Sequence, residues 1–173
     1  MKRVLPFLPI VVMVALGILF AGYGLHHDPQ VQPAALVGKP LPSMPLPPIA
    51  GGQPQSIGAA VKGPKLVKVF ASWCAPCIQE APQLMQLKNQ GVPVIGVAYK
   101  DKPGDTLAFL DRRGNPFQAI LVDQKGDAGV EFGISGVPET FLVDGSGKIV
   151  AKYTGAMSDV DAANVARRFK TLQ

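Results

Sequence analysis

Lys65-Leu66-Val67-Lys68-Val69-Phe70 is a β-branched, mostly apolar run that leads directly into Trp73-Cys74-Ala75-Pro76-Cys77. A short run of this kind reads as a buried strand, predicted over residues 66–72. After it, Ala81, Leu84, Met85 and Leu87 recur at helical spacing, which predicts a helix over residues 75–90. Pro82 interrupts that pattern and predicts a kink, because its ring removes the bond to Ile78 and crowds the turn. Pro76 falls in the first turn, where a missing N–H costs nothing. A strand that feeds straight into a helix commits the chain to layered α/β packing.

The turn between them carries the only two cysteines of the chain. The first turn of a helix presents free N–H groups and the positive end of the peptide dipole, so it stabilises an anion. Thiol–disulfide exchange is performed by a thiolate, and cysteines in such settings are acidified. Cys74 is therefore the candidate attacking thiol, and Cys77, one turn deeper, the candidate resolving thiol. A Cys-x-x-Cys pair also serves as half of a zinc site. Structural zinc needs four ligands, and the remaining candidates, His26 and His27, lie near the N-terminus. A purely structural disulfide is disfavoured because so small a ring constrains little of the unfolded chain.

Residues 4–25 contain no charged side chain and follow Lys2 and Arg3. About 20 apolar residues suffice to cross a bilayer, and the flanking cations keep the N-terminus cytoplasmic. The alternative is a cleaved signal peptide, whose apolar core is usually about 7–15 residues. The longer run favours an uncleaved transmembrane helix over residues 1–27, with the rest of the chain exported. In a Gram-negative cell that places the protein in the inner membrane with its C-terminal part in the periplasm, where a cysteine pair can cycle. The net charge of +5 is scattered, apart from Arg167-Arg168, and aromatics do not alternate with it, which argues against a nucleic-acid partner.

Residues 28–64 are rich in Pro, Gly and Gln and read as a tether that becomes an edge element, with Leu46 and Ile49 available to pack. The compact domain is expected from Lys65 to the end, over residues 65–173. Within it, strands are predicted at 93–99, 117–122, 139–143 and 148–153, and helices at 106–113, 128–132 and 158–172. Ser158 is the expected cap of the last helix. Strands alternate with helices and end in a hairpin, which predicts a central mixed β-sheet flanked by helices on both faces. Pro138 opens the 139–143 strand; the residues alone leave its peptide bond cis or trans.

Several of these residues together resemble one family. They are Trp73-Cys74-Ala75-Pro76-Cys77 with Glu80, Pro82 eight residues after the first cysteine, Gly96-Val97-Ala98-Tyr99-Lys100-Asp101, Gly114-Asn115-Pro116-Phe117, and Gly136-Val137-Pro138-Glu139-Thr140-Phe141-Leu142-Val143-Asp144. The pattern resembles thioredoxin-fold proteins, and more closely the DsbE/CcmG family, membrane-anchored thioredoxin-like proteins of cytochrome c maturation. It spans roughly residues 38–155. The resemblance implies a thioredoxin-like fold. It implies that Pro138 is a cis-proline beside the cysteines, leaving the preceding backbone at Val137 free to hold a partner chain as an added strand. It also implies that Glu80 relays a proton or tunes thiol acidity, and that Glu139 is a second acidic site residue. The competing readings are a solvated helix glutamate and an exposed strand-end charge. Lys68 departs from the family, which usually has an uncharged polar residue there. Its ammonium either acts on the thiols or snorkels to water.

The expected activity is protein-disulfide reduction through the Cys74–Cys77 pair, with no cofactor beyond that disulfide and no metal. The resemblance implies apocytochrome c, or a thiol protein that relays to it, as the partner. It implies re-reduction by a membrane carrier of the DsbD/CcdA type. The rivals are a general envelope thioredoxin-like reductase or oxidase, and a non-redox chaperone that only holds peptide.

Overall fold

The computed structural model describes residues 12–19, 22 and 36–173. The chain clusters into two units, Met1–Pro33 and Ala34–Gln173. In the first unit residues 12–19 are helical. Most of the expected transmembrane segment lies outside the described residues, and among those described no helix is long and apolar enough to cross a membrane.

The second unit is built on a five-stranded sheet. Its strands are β3 (Lys65–Phe70), β4 (Val94–Tyr99), β5 (Ala119–Asp123), β6 (Glu139–Val143) and β7 (Ile149–Thr154), in the order β5-β4-β3-β6-β7. β3 runs parallel to β4, and β4 parallel to β5, while β6 is antiparallel to both β3 and β7. The mixed sheet expected from the sequence is the one observed. β3 is central and buried along its whole length, which is why it reads as an almost unbroken apolar run. Its alternate side chains enter two separate cores. Leu66 and Phe70 join Leu84, Leu87, Phe109, Val165 and Phe169 on one face. Val67 and Val69 join Ile57, Phe132 and Phe141 on the other.

The first core is closed by α2 (Ala75–Gln79), α3 (Ala81–Asn89), α4 (Pro103–Arg113) and α6 (Asp159–Lys170). The second is closed by α1 (Ile57–Ala60) and α5 (Asp127–Glu131). The single helix expected over 75–90 divides at Glu80, two residues before Pro82. α4 begins three residues earlier than the 106–113 expectation, with Pro103 in its first turn, where proline is tolerated. Ser158 caps α6 as expected, in a reciprocal box with Asp161.

The segment before β3 is folded against the sheet, so the compact unit starts well before Lys65. β1 (Pro45–Leu46) and β2 (Gln55–Ser56) form a small hairpin, and Leu46 and Ile57 are buried in the second core. At the β7 edge, Gly38 N donates to Ile149 O at 2.8 Å, and Ile149 N donates to Lys39 O at 3.0 Å. At the β5 edge, Ile49 N donates to Ile120 O and Val122 N to Pro47 O, each at 2.9 Å. One proline-rich stretch thus covers part of both sheet edges, whose open N–H and C=O rows would otherwise invite pairing with another chain.

Gly96 in β4 is a packing requirement rather than a turn residue. A Cβ there would lie 2.8 Å from Phe70 Cε1 and 3.1 Å from the ring of Phe117, and these two rings stack at 4.5 Å. Gly96→Ala is expected to cost about 1–3 kcal/mol through overpacking. Thermal unfolding checks this; an unchanged midpoint would mean that the ring stack yields freely.

Candidate active site

Cys74 is the N-cap of α2, in extended conformation, and its Sγ accepts the Cys77 N–H at 3.2 Å. The helix therefore points backbone donors at the first cysteine. Cys74 and Cys77 form a disulfide. Both are little exposed in this oxidised state. The pair nonetheless lies just beneath the surface, since Ala75, Pro76 and Gln79 are exposed and Trp73 is 59 % exposed.

The second wall of the site comes from the chain entering β6. Val69 pairs with Glu139 across the β3–β6 ladder. Continuing that register sets Pro138 opposite Phe70 and Val137 opposite Ala71, at the sheet end that carries Cys74. The Val137–Pro138 peptide is cis, Pro138 is buried, and the half-buried Val137 packs against the core that contains both cysteines. Among the described residues no backbone hydrogen bond engages Val137. Its main chain is thus available beside the disulfide for an incoming strand.

The turn carrying the cysteines is tied down by Asp101, which sequence reasoning placed only in a family motif. Its carboxylate accepts Ser72 N at 2.7 Å, Ser72 Oγ at 2.8 Å, Thr106 Oγ1 at 2.9 Å and Lys102 N at 3.0 Å. Trp73 Nε1 donates to Lys100 O at 3.2 Å, so the same loop holds the indole. Asp101 lies 29 residues from Ser72, and no local pattern signals such a contact. Asp101→Ala is expected to lower stability by about 2–4 kcal/mol, because several donors lose a charged acceptor. Urea unfolding reads the loss, and a change under about 0.5 kcal/mol, the usual range of a surface substitution, would contradict it.

Beneath the cysteines lies a buried ion pair. Lys68 Nζ sits 2.6 Å from Glu80 Oε1, both side chains wholly buried, and it donates to Thr140 Oγ1 at 3.0 Å. Glu80 Oε2 accepts Met157 N at 2.8 Å. Glu80 is therefore not a solvated helix residue, and Lys68 does not snorkel to water. Burial pushes the Lys68 ammonium below its ordinary value, while Glu80, and more weakly Glu139, pull it back up. Cys77 and Glu80 line one small cavity of about 10 Å³, otherwise walled by apolar and aromatic side chains such as Phe70 and Phe109. That space suits at most about one water.

Glu139, the first residue of β6, is buried too and not an exposed strand-end charge. It faces the opposite side of the sheet from Lys68 and Glu80, since Thr140, not Glu139, is Lys68's cross-strand partner. Its Oε1 accepts Ser135 N and Ser135 Oγ, each at 3.0 Å, and its Oε2 lies 2.8 Å from Lys152 Nζ. Its visible contacts hold the loop that delivers Val137 and Pro138. Among the described residues no three His, Cys, Asp or Glu side chains gather as a metal site requires.

Comparison with known proteins agrees with this geometry. The redoxin family model matches residues 36–167. The thiol:disulfide interchange protein HelX of Rhodobacter capsulatus is 39% identical over 162 residues, covering 92% of this chain and 91% of that protein. DsbE of Pseudomonas aeruginosa is 36% identical, over 91% and 87% of the two chains. Among solved structures, a thio-disulfide isomerase from Thermus thermophilus superposes with a TM-score of 0.63 at 27% identity, over 77% of this chain and 96% of that one. With a cysteine pair at a strand–helix junction and a cis-proline beside it, the chain belongs to the redoxin family, among the thiol:disulfide interchange proteins of the DsbE/HelX group.

Proposed function

We propose that this protein is a membrane-anchored reductant of the bacterial periplasm that opens disulfides in the cytochrome c maturation pathway. The observation that carries the thiol chemistry is Cys74 at the start of α2 with its Sγ on the Cys77 N–H, beside the unpaired backbone of Val137. The reduced Cys74 thiolate attacks a partner disulfide. One partner sulfur bonds to Cys74 Sγ, and the other leaves as a thiolate and takes a proton from water. Cys77 then loses its proton, attacks Cys74 Sγ and expels the second partner sulfur. The partner has gained two electrons and two protons, and the Cys74–Cys77 disulfide has formed. This exchange asks for no further cofactor.

Likeness to DsbE and HelX proteins over nine-tenths of the chain supports an apocytochrome c, or a thiol protein relaying to it, as the substrate. The uncharged N-terminal run supports the anchor. A membrane thiol carrier of the DsbD/CcdA type would regenerate the dithiol.

Trapping tests this reading. Cys77→Ser removes the resolving thiol, so the mixed disulfide on Cys74 should accumulate by about a hundredfold or more over wild type. Mass spectrometry should find an apocytochrome c or its maturation thiol partner attached. A broad mixture of envelope proteins would instead indicate a general reductase. No adduct, with activity retained when both cysteines are changed to serine, would indicate a peptide-holding module.

A further inference from the structure

Cations that lie scattered along the sequence are gathered by the fold. β3 enters the sheet at Lys65 and leaves it toward Cys74, so the sheet has a site end and a far end. Three helices start at the site end. α3 follows Glu80, α4 follows Asp101, which holds Ser72, and α6 follows Met157, whose N–H meets Glu80. Each runs back along the sheet to the far end. There α3 leads into β4 and α4 into β5, while the last turn of α6 meets the start of β7, with Arg168 Nη2 donating to Val150 O at 3.1 Å. All three last turns are basic, with Lys88 on α3, Arg112 and Arg113 on α4, and Arg167, Arg168 and Lys170 on α6. A basic last turn answers the dipole of its own helix. Three that end together do more, because their charges sum into one field.

Two further cations join them where the proline-rich stretch meets β7. Pro40 bridges to Lys148, with Lys39 beside it. All of these side chains are exposed, and among the described residues none is in salt-bridge contact with a carboxylate. The acids described at the far end are Asp111 and Asp144, and Asp144 Oδ1 is occupied by Ser146 N, Ser146 Oγ and Lys148 N. The site end has no such excess. Its exposed Lys100, Lys102 and Lys125 are matched by the exposed Asp105, Asp127, Glu131 and Asp159.

The far end is also where the chain enters this unit. Leu36 packs on the second core and Gly38 N donates to Ile149 O. Residues 26–35 alone separate Leu36 from the uncharged run 4–25, and a segment of that length spans at most about 40 Å. An anchor in that run would therefore hold the far end close to the bilayer surface.

We propose that the far end is a docking face for a bilayer carrying anionic phospholipid headgroups, which seats the unit with its disulfide turned outward. The proposal rests on the anchored reading above. A broad set of unpaired lysines and arginines fits a layer of headgroup phosphates, and arginine can meet each phosphate with two N–H groups. β3 then sets the disulfide about 20 Å farther from the lipid. A partner chain lying along Val137 would be clear of the headgroups.

Lysine footprinting tests this on the full-length chain in nanodiscs. One set of discs is phosphatidylcholine, and the other is equal parts phosphatidylcholine and phosphatidylglycerol. A short acetylation pulse and peptide mapping read each ammonium. With phosphatidylglycerol, Lys39, Lys88, Lys148 and Lys170 should react at least about threefold more slowly than with phosphatidylcholine alone. Lys100, Lys102 and Lys125 should react alike in both. The difference should collapse in about 0.5 M salt, where charges are screened beyond about 4 Å. Replacing Arg112, Arg113, Arg167 and Arg168 together by Gln should remove most of the protection and leave reduction of a chromogenic disulfide in solution at the wild-type rate.

Equal lysine reactivity in the two discs, as a face kept for an acidic protein would show, overturns the proposal. Protection of Lys100, Lys102 and Lys125 to the same degree overturns it as well, and so does a fourfold variant protected like wild type. A chain that does not stay in phosphatidylcholine discs loses the anchored reading instead. Footprinting on phosphatidylglycerol vesicles then decides the docking face by the same lysines, since protection confined to the far end upholds it and its absence overturns it.

Discussion

Cys74→Ala is expected to lower the rate of disulfide reduction at least about a thousandfold, because the one remaining thiol, Cys77, is buried and poorly placed to meet a partner disulfide. The reason is positional as well as chemical. Cys74 caps α2 and meets the Cys77 N–H, whereas Cys77 lies inside the helix, against the apolar cavity. Cys77→Ser should behave differently. It should keep the first attack, release one equivalent of partner thiolate and then stop. Stopped-flow reduction of a chromogenic disulfide separates the two variants. The account fails here if Cys77→Ser is the slower of the two in the first turnover.

Glu80→Leu is expected to cost about 3–5 kcal/mol of stability, since it leaves the Lys68 ammonium buried without its counter-ion. The pair is wholly enclosed and its contact is 2.6 Å, so water cannot replace the lost carboxylate. Adding Lys68→Met should recover most of that loss, because two apolar side chains of similar volume avoid the desolvation of both ions. Denaturant midpoints for wild type, both single variants and the double variant complete a cycle whose coupling energy measures the pair. Additive single losses would show that Lys68 and Glu80 do not act as a couple.

Much of this architecture was legible in the chain because its signals are local. The Lys65–Phe70 strand, the cap at Ser158 and the cysteine spacing each declare themselves within a few residues. The partners that finish the site do not. Asp101 reaches Ser72 across 29 positions, and Met157 N meets Glu80 across 77. The resemblance singles out Glu80 as a proton relay or a tuner of thiol acidity and Lys68 as a departure from the family, but nothing in their immediate neighbours says that they point at each other. The proline-rich stretch reads as a tether that becomes an edge element, and Leu46 and Ile49 pack as expected. That it meets both sheet edges was not legible, because the partners of Gly38 N and Ile49 N, Ile149 O and Ile120 O, lie far along the chain. The division of the predicted 75–90 helix at Glu80 accords with the kink expected from Pro82.

The most direct test of the central claim is a brief alkylation pulse on the reduced protein at mildly acidic pH, followed by peptide mapping. If the start of α2 stabilises the Cys74 thiolate, the label should fall on Cys74 while Cys77 stays unmodified. Label on Cys77 first, or on both cysteines alike, would contradict it.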